Sequence, residues 1–157
     1  MKSVVRAFVF NKNGEILMAR HTPDALWVLP GGHVETDERL HAAMIRELQE
    51  EFGLGARFFD IDQSEILHHQ GKKLTHHPLP LAIYELSYTD KNGRDKSRVE
   101  HVFLMETDDD VHEKQESEIH EYAWMDAEDI LSMKPNVETW DFIIEMLDRI
   151  MGSDDEV

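Results

Sequence analysis

The sequence predicts an α/β/α sandwich in which a mixed β-sheet lies between helices. Three observations carry this expectation. Short β-branched and apolar runs bounded by turn residues recur along the chain, strong helix formers fill the stretch from Asp37 to Phe52, and an amphipathic stretch follows Pro135. Strands mixed with helices able to cover both faces are the pattern of an α/β sandwich. With 157 residues, 41% of them hydrophobic, the chain can fill one core. No repeat, low-complexity tract or linker divides it, so one domain is expected over residues 1–151, followed by a short acidic tail at 152–157 that frays.

Residues 3–10 and 15–20 read as strands joined by the turn Asn11-Lys12-Asn13-Gly14, an opening hairpin. Trp27-Val28-Leu29-Pro30 reads as a short strand running into a turn at Gly31-Gly32, where backbone can approach a ligand closely. A helix is expected from Asp37 to Phe52, with Thr36 or Asp37 as N-cap and Gly53 as its stop. Residues 56–68, 79–88 and 97–106 read as strands, the last two forming a hairpin around Asn92-Gly93. A short strand at 119–125 precedes a helix near Asp126 to Met133. A second, amphipathic helix then carries Trp140, Ile143, Ile144, Leu147 and Ile150 on one side.

Composition narrows the function. There are 16 Lys and Arg against 33 Asp and Glu, a net charge of -17, so the chain as a whole repels nucleic-acid backbones and anionic membranes. An anionic substrate must then be met by a cation. The absence of cysteine excludes disulfides, thiolate metal sites and cysteine nucleophiles. Arg6 and the turn at Asn11 interrupt the apolar start of the chain before it reaches the length of a signal peptide or membrane span, and a cytoplasmic location is expected.

On a helix with roughly 100° per residue, Glu47, Glu50 and Glu51 share one arc, while Met44, Ile45, Leu48 and Phe52 occupy another. Like charges at i,i+3 and i,i+4 destabilise a helix by about 0.2–0.5 kcal/mol per pair, so this cluster favours a bound cation. Hard carboxylate oxygens select Mg2+ or Mn2+ over zinc. Three glutamates in so acidic a chain are by themselves most simply a solvated helix face.

The full spacing is Gly32-x5-Glu38-x7-Arg46-Glu47-Leu48-x-Glu50-Glu51-x-Gly53-Leu54, nine fixed positions within 23 residues. A chance match is on the order of one in a million. It resembles the box of the Nudix hydrolase family with no departure from the pattern. The resemblance implies a Nudix-like α/β/α fold and hydrolysis, with magnesium or manganese, of a nucleoside diphosphate linked to another group. Glu47, Glu50 and Glu51 match the metal-binding glutamates, and Arg46 with Glu38 matches the pair that fixes the helix and its carboxylates. The stretch Glu118-Ile119-His120-Glu121-Tyr122-Ala123-Trp124 resembles the family segment in which a loop acid ligates metal or accepts a proton. Glu118 is the candidate for that role, with Glu116 as runner-up.

The expected catalytic residues are therefore Glu47, Glu50, Arg46 and Glu118, and the expected metal ligands are Glu47, Glu50, Glu51 and Glu118. Arg20, Trp27, Gly31 and Gly32 are the candidate substrate-binding residues. Arg6, Lys72, Lys73 and Arg98 are further cations for phosphate, although surface solvation suffices to explain any one of them. Tyr84 and Phe103, like Trp27, have core packing as the simpler reading. His68, His69, His76 and His77 lack metal-ligand spacing and read as loop histidines.

The partner expected is a small nucleotide, with no nucleic acid and no membrane, and a homodimer is compatible with the reading. Two alternatives remain, a nucleotide sensor without catalysis and an enzyme acting at the 5′ end of RNA. The first sits poorly with an intact set of glutamates and the second with the charge of -17. The isopentenyl diphosphate isomerases, which share the fold, need a cysteine that this chain lacks.

Overall fold

The computed structural model describes residues 1–59, 75–112 and 118–152. Its strands are β1 (Lys2–Phe10), β2 (Ile16–Arg20), β3 (Gly31–His33), β4 (Arg57–Phe58), β5 (Ala82–Thr89), β6 (Asp95–Glu106) and β7 (Glu121–Met125). Its helices are α1 (Leu40–Phe52), α2 (Ala127–Leu131) and α3 (Asp141–Gly152).

The strands form a mixed sheet in the order β4-β6-β1-β2-β7, with β3 paired to β1 and β5 to β6. β1 and β6 run parallel from Lys2↔Arg98 to Phe10↔Glu106, and the other strand pairs are antiparallel. Successive side chains on a strand point to opposite faces, and the central strands follow that alternation. Val5, Ala7 and Val9 of β1, Leu17 and Ala19 of β2, and Phe103 and Met105 of β6 pack with Met44, Leu48 and Phe52 of α1. Phe8, Ile16, Met18 and Val102 face the other way and pack with Ile130 of α2 and with Ile143 and Leu147 of α3. Burial on both faces explains why β1 and β2 read as continuous apolar runs. The sandwich expected from the sequence is the fold found. Among the described residues no helix is long and apolar enough to cross a membrane.

Several local expectations are revised. The opening turn forms, with Asn11 N–H donating to Glu15 O, but β1 and β2 pair only at Phe10↔Ile16 before separating. β2 continues alongside β7, and β1 alongside β3 and β6. Gly31-Gly32 is strand rather than turn, with Val5↔Gly32 and Arg6↔Gly31 in register. Trp27 and Val28 make isolated bridges to Thr139 and Ala19 instead of a strand.

Helix α1 starts at Leu40, three residues later than expected. Asp37 has a left-handed φ of 63°, Glu38 N–H donates to Glu35 O, and the cap residue Arg39 makes no side-chain capping bond. Thr36 and Asp37 are spent in this turn, which delivers Glu38 to Arg46. The C-terminal expectation holds, since Gly53 adopts φ 60° and its N–H donates to Gln49 O. Of the strand expected at 56–68 only Arg57–Phe58 is found among the described residues, and 60–68 lie outside them. The β5–β6 hairpin forms, with the Asp90 carboxylate accepting from the N–H groups of Asn92 and Arg94. Gly152 closes α3, and the remainder of the expected tail, 153–157, lies outside the described residues.

Candidate active site

Arg46 is the organising side chain of the carboxylate face of α1. Its guanidinium donates to both oxygens of Glu38, Nε to Oε2 at 2.8 Å and Nη2 to Oε1 at 3.0 Å. Nη1 donates to Glu47 Oε1 at 3.1 Å and to Glu50 Oε2 at 3.2 Å, and Nη2 reaches the His33 carbonyl at 3.0 Å. One planar fork thus ties α1 to the preceding turn and to the end of β3, geometry that a lysine cannot supply. The bond to Arg46 holds the Glu38 carboxyl below its ordinary range, and Glu38 in turn raises the Arg46 pKa.

Glu51, an expected metal ligand, lies deeper than the other two glutamates of the cluster. It is only 3% exposed, whereas Glu50 is open to solvent and Ile45, expected to pack, is 46% exposed. Burial is the first cause that pushes the Glu51 carboxyl up to about 9. A hydrogen bond with Glu47, the charge of Glu47 and the charge of Glu118 add to it, and Arg6 opposes it. Burial and a neighbouring carboxylate both disfavour the charged form of Glu51.

The glycines of β3 create the room beside this pair. A Cβ on Gly32 would stand 2.5 Å from the Glu47 carboxyl carbon, and one on Gly31 would stand 1.9 Å from the Val5 carbonyl oxygen. Gly31 therefore lets β3 lie on β1, and Gly32 lets the backbone touch a candidate ligand. No three acidic or histidine side chains among the described residues are gathered in metal-holding geometry. Arg46 draws Glu47 and Glu50 to itself, and Glu51 is turned to Glu47. The donor set nonetheless fits a hard cation. It consists of carboxyl oxygens on neighbouring turns of one helix, the hard donors such a cation takes.

Glu118 lies in the turn before β7, near enough to influence Glu51. That turn is fastened to the end of β2. The His21 Nδ1–H donates to the Glu118 carbonyl, His120 N–H donates to Arg20 O at 2.9 Å, and Arg20 Nε donates to Glu121 Oε1 at 2.8 Å. The Arg20 guanidinium also lies 4.8 Å from the centre of the Trp27 ring. Arg20 and Trp27 thus occupy each other and Glu121, next to the Glu118 turn. Phe103 is core, as expected. His77 sits 4.6 Å from His41, ring centre to ring centre. Glu116, Lys72, Lys73, His68 and His69 lie outside the described residues.

Sequence reasoning passed over a second polar cluster. Arg6 is half-buried rather than fully solvated, and with Arg98 and Glu100 it forms a charged group on the α3 side of the sheet. Its signal was a charge inside an apolar strand, in Val4 to Phe10 for Arg6 and in Val99 to Phe103 for Glu100.

Fold and site together define an α/β/α-sandwich hydrolase acting on a phosphoric anhydride. The NUDIX domain model matches residues 2–145, and the chain belongs to the Nudix hydrolase family. It is 28% identical over 134 residues to the RNA pyrophosphohydrolase of Wolbachia pipientis subsp. Culex pipiens (strain wPip), covering 82% of this chain and 76% of that protein. Among solved structures it is similar to a NUDIX-family hydrolase from Clostridium perfringens, with a TM-score of 0.67 at 20% identity over 95% of this chain and 97% of that one. The MutT protein from Methanosarcina mazei Go1 gives a TM-score of 0.64 at 24% identity over 94% and 91%. These two likenesses concern the fold.

Proposed function

We propose that this chain hydrolyses the pyrophosphate linkage of a small nucleoside diphosphate derivative, using Mg2+ or Mn2+ held by Glu47, Glu50 and Glu51. The observation that carries this reading is the carboxylate face of α1, where Arg46 holds Glu47 and Glu50, Glu51 is buried beside them, and the Gly32 backbone lies against Glu47. Adjacent hard carboxylate oxygens are the donors that a divalent cation takes. When bound, the cation offsets diphosphate charge and lowers the pKa of an attacking water. Arg46 fixes the orientation of Glu47 and Glu50, Gly31 keeps β3 against β1 so that the Gly32 backbone can close on the diphosphate, and Glu118 ligates metal or takes the proton of the water. Arg20 and Trp27 border the substrate from the Glu118 side. The protein acts in the cytoplasm on a free nucleotide. An RNA 5′ end is the second reading, favoured by the name of the Wolbachia relative.

A panel of nucleoside diphosphate derivatives and a 5′-triphosphorylated RNA, each with and without excess chelator, tests both readings. Turnover of a nucleotide that chelator abolishes is expected. Undiminished turnover in chelator would remove the metal. Glu50→Gln and Glu51→Gln are each expected to lower kcat by at least about 100-fold with the fold retained.

A further inference from the structure

The Glu118 turn stands outside α1 and β3, so an acid there keeps its place only through what fastens the turn. Strands β2 and β7 run antiparallel from Ile16↔Met125 to Arg20↔Glu121, and next to that last pair the His120 N–H donates to the Arg20 carbonyl at 2.9 Å. Continuing that register would set His21 opposite His120, which leaves Glu118 beyond the end of the ladder. In place of a backbone bond, the His21 ring reaches across and its Nδ1–H donates to the Glu118 carbonyl. A carbonyl oxygen only accepts, so the ring must carry a proton on Nδ1. His21 is exposed, and among the described residues its side chain makes no other hydrogen bond or ion pair.

The next residue is anchored in a different way. Ile119 is 1% exposed and belongs to the buried cluster that contains Leu48 and Phe52 of α1, and Tyr122 of β7 meets the Phe52 ring edge-on at 6.2 Å between centres. The peptide group joining Glu118 to Ile119 is thus held at its oxygen by His21 and at its far end by the core. Phe52 directly follows Glu51, so this anchorage ties the turn to the helix that carries the glutamates, and the charge of Glu118 is felt at Glu51.

A single hydrogen bond at an exposed site adds little to stability. Its larger effect is on the range of positions open to the Glu118 backbone, and reacting groups tolerate little displacement. The Arg20 bond to Glu121 holds the same turn from β2, so loss of His21 loosens Glu118 without releasing it.

We propose that His21 is a positioning residue, holding Glu118 in place relative to Glu47 and Glu51 and affecting turnover only through that acid. This inference rests on the role given to Glu118 above.

The experiment measures kcat and KM of His21→Ala, His21→Asn, Glu118→Gln and the double variant of His21→Ala with Glu118→Gln, on the nucleoside diphosphate derivative that wild type hydrolyses fastest. Amide hydrogen exchange over residues 118–122 is followed in the metal-free protein. His21→Ala is expected to lower kcat by about 5- to 20-fold, to keep KM within about 2-fold of wild type and to speed exchange in the turn. Its melting temperature should stay near wild type, because the ring is exposed. In His21→Asn the amide nitrogen takes the place of Nδ1, and kcat and exchange are expected to return to within about 2-fold of wild type. On the Glu118→Gln background, His21→Ala is expected to cost less than about 2-fold, since a group that acts through Glu118 has nothing further to lose. Wild-type kcat or unchanged exchange in His21→Ala, His21→Asn as impaired as His21→Ala, or the full His21→Ala loss in the double variant would each overturn the role of His21 and leave the function of the site standing. Wild-type turnover in Glu118→Gln, or no turnover of any derivative by wild type, would remove the reading beneath the inference and the inference with it.

Discussion

Glu51 couples the site to pH. Its carboxyl is raised from the ordinary 4.5 to about 9 in the folded chain, first by burial and then by Glu47. Between those values the folded state keeps a proton that the unfolded state releases, so this residue makes the metal-free protein less stable as pH rises through the interval. Thermal denaturation in chelator is expected to show Glu51→Gln gaining on wild type from pH 5 to pH 9. Added Mg2+ should then stabilise wild type far more than the variant. A constant difference across pH would mean that Glu51 is ionised and solvated. Arg46 acts by shape rather than charge, since one fork holds Glu38, Glu47, Glu50 and the His33 carbonyl. Arg46→Lys is expected to lower kcat by about 10- to 100-fold and to raise the Mg2+ concentration needed for half-activity. An unchanged metal dependence would detach Arg46 from the carboxylates it touches.

At the scale of elements, β3 separates a structural glycine from a functional one. A Cβ on Gly31 meets the Val5 backbone, which cannot yield without parting β3 from β1, whereas a Cβ on Gly32 meets the end of the Glu47 side chain. Gly31→Ala is therefore expected to destabilise the fold by about 1–3 kcal/mol. Gly32→Ala should leave the melting temperature near wild type and lower kcat by displacing Glu47. Melting curves and kinetics on both variants check this, and equal loss of stability in the two would refute the distinction. The same strand marks how far the sequence was legible. The end of α1 was readable because Gly53 supplies a left-handed cap locally, and the carboxylate face because Arg46, Glu47, Glu50 and Glu51 lie within six residues. The start of α1 was misread because Asp37, expected as a cap, takes a left-handed φ in a turn that carries Glu38 to Arg46. Gly31-Gly32 was misread as a turn because its strand pairing depends on β1, and the burial of Glu51 depends on elements beyond its own helix. The charged group of Arg6, Arg98 and Glu100, with Tyr84 donating to Glu100, unites β1, β5 and β6, a convergence that no local pattern records.

The whole molecule carries a net charge of -17, and any nucleotide that reaches Glu47 must approach through that field. Repulsion between exposed charges acts over about 30 Å at 0.01 M salt and about 8 Å at 0.15 M, whereas contacts inside a partly buried site are screened far less. Raising monovalent salt at fixed free Mg2+ removes an obstacle to encounter and leaves the bound contacts largely intact. For a small nucleoside diphosphate derivative, kcat/KM is therefore expected to rise by a few-fold between low and physiological salt. An enzyme built to hold RNA behaves oppositely, because its cations release counterions from the strand and its affinity falls with a slope of about -0.7 per phosphate neutralised. The measurement is a KCl series of kcat/KM for the nucleotide beside a 5′-triphosphorylated RNA of several nucleotides. The nucleotide is expected to be the better substrate at every salt concentration. RNA turnover that exceeds it at low salt and falls by several counterions' worth of slope would show that a local basic surface overrides the global charge. The function would then pass to the RNA 5′ end, in line with the name of the Wolbachia relative.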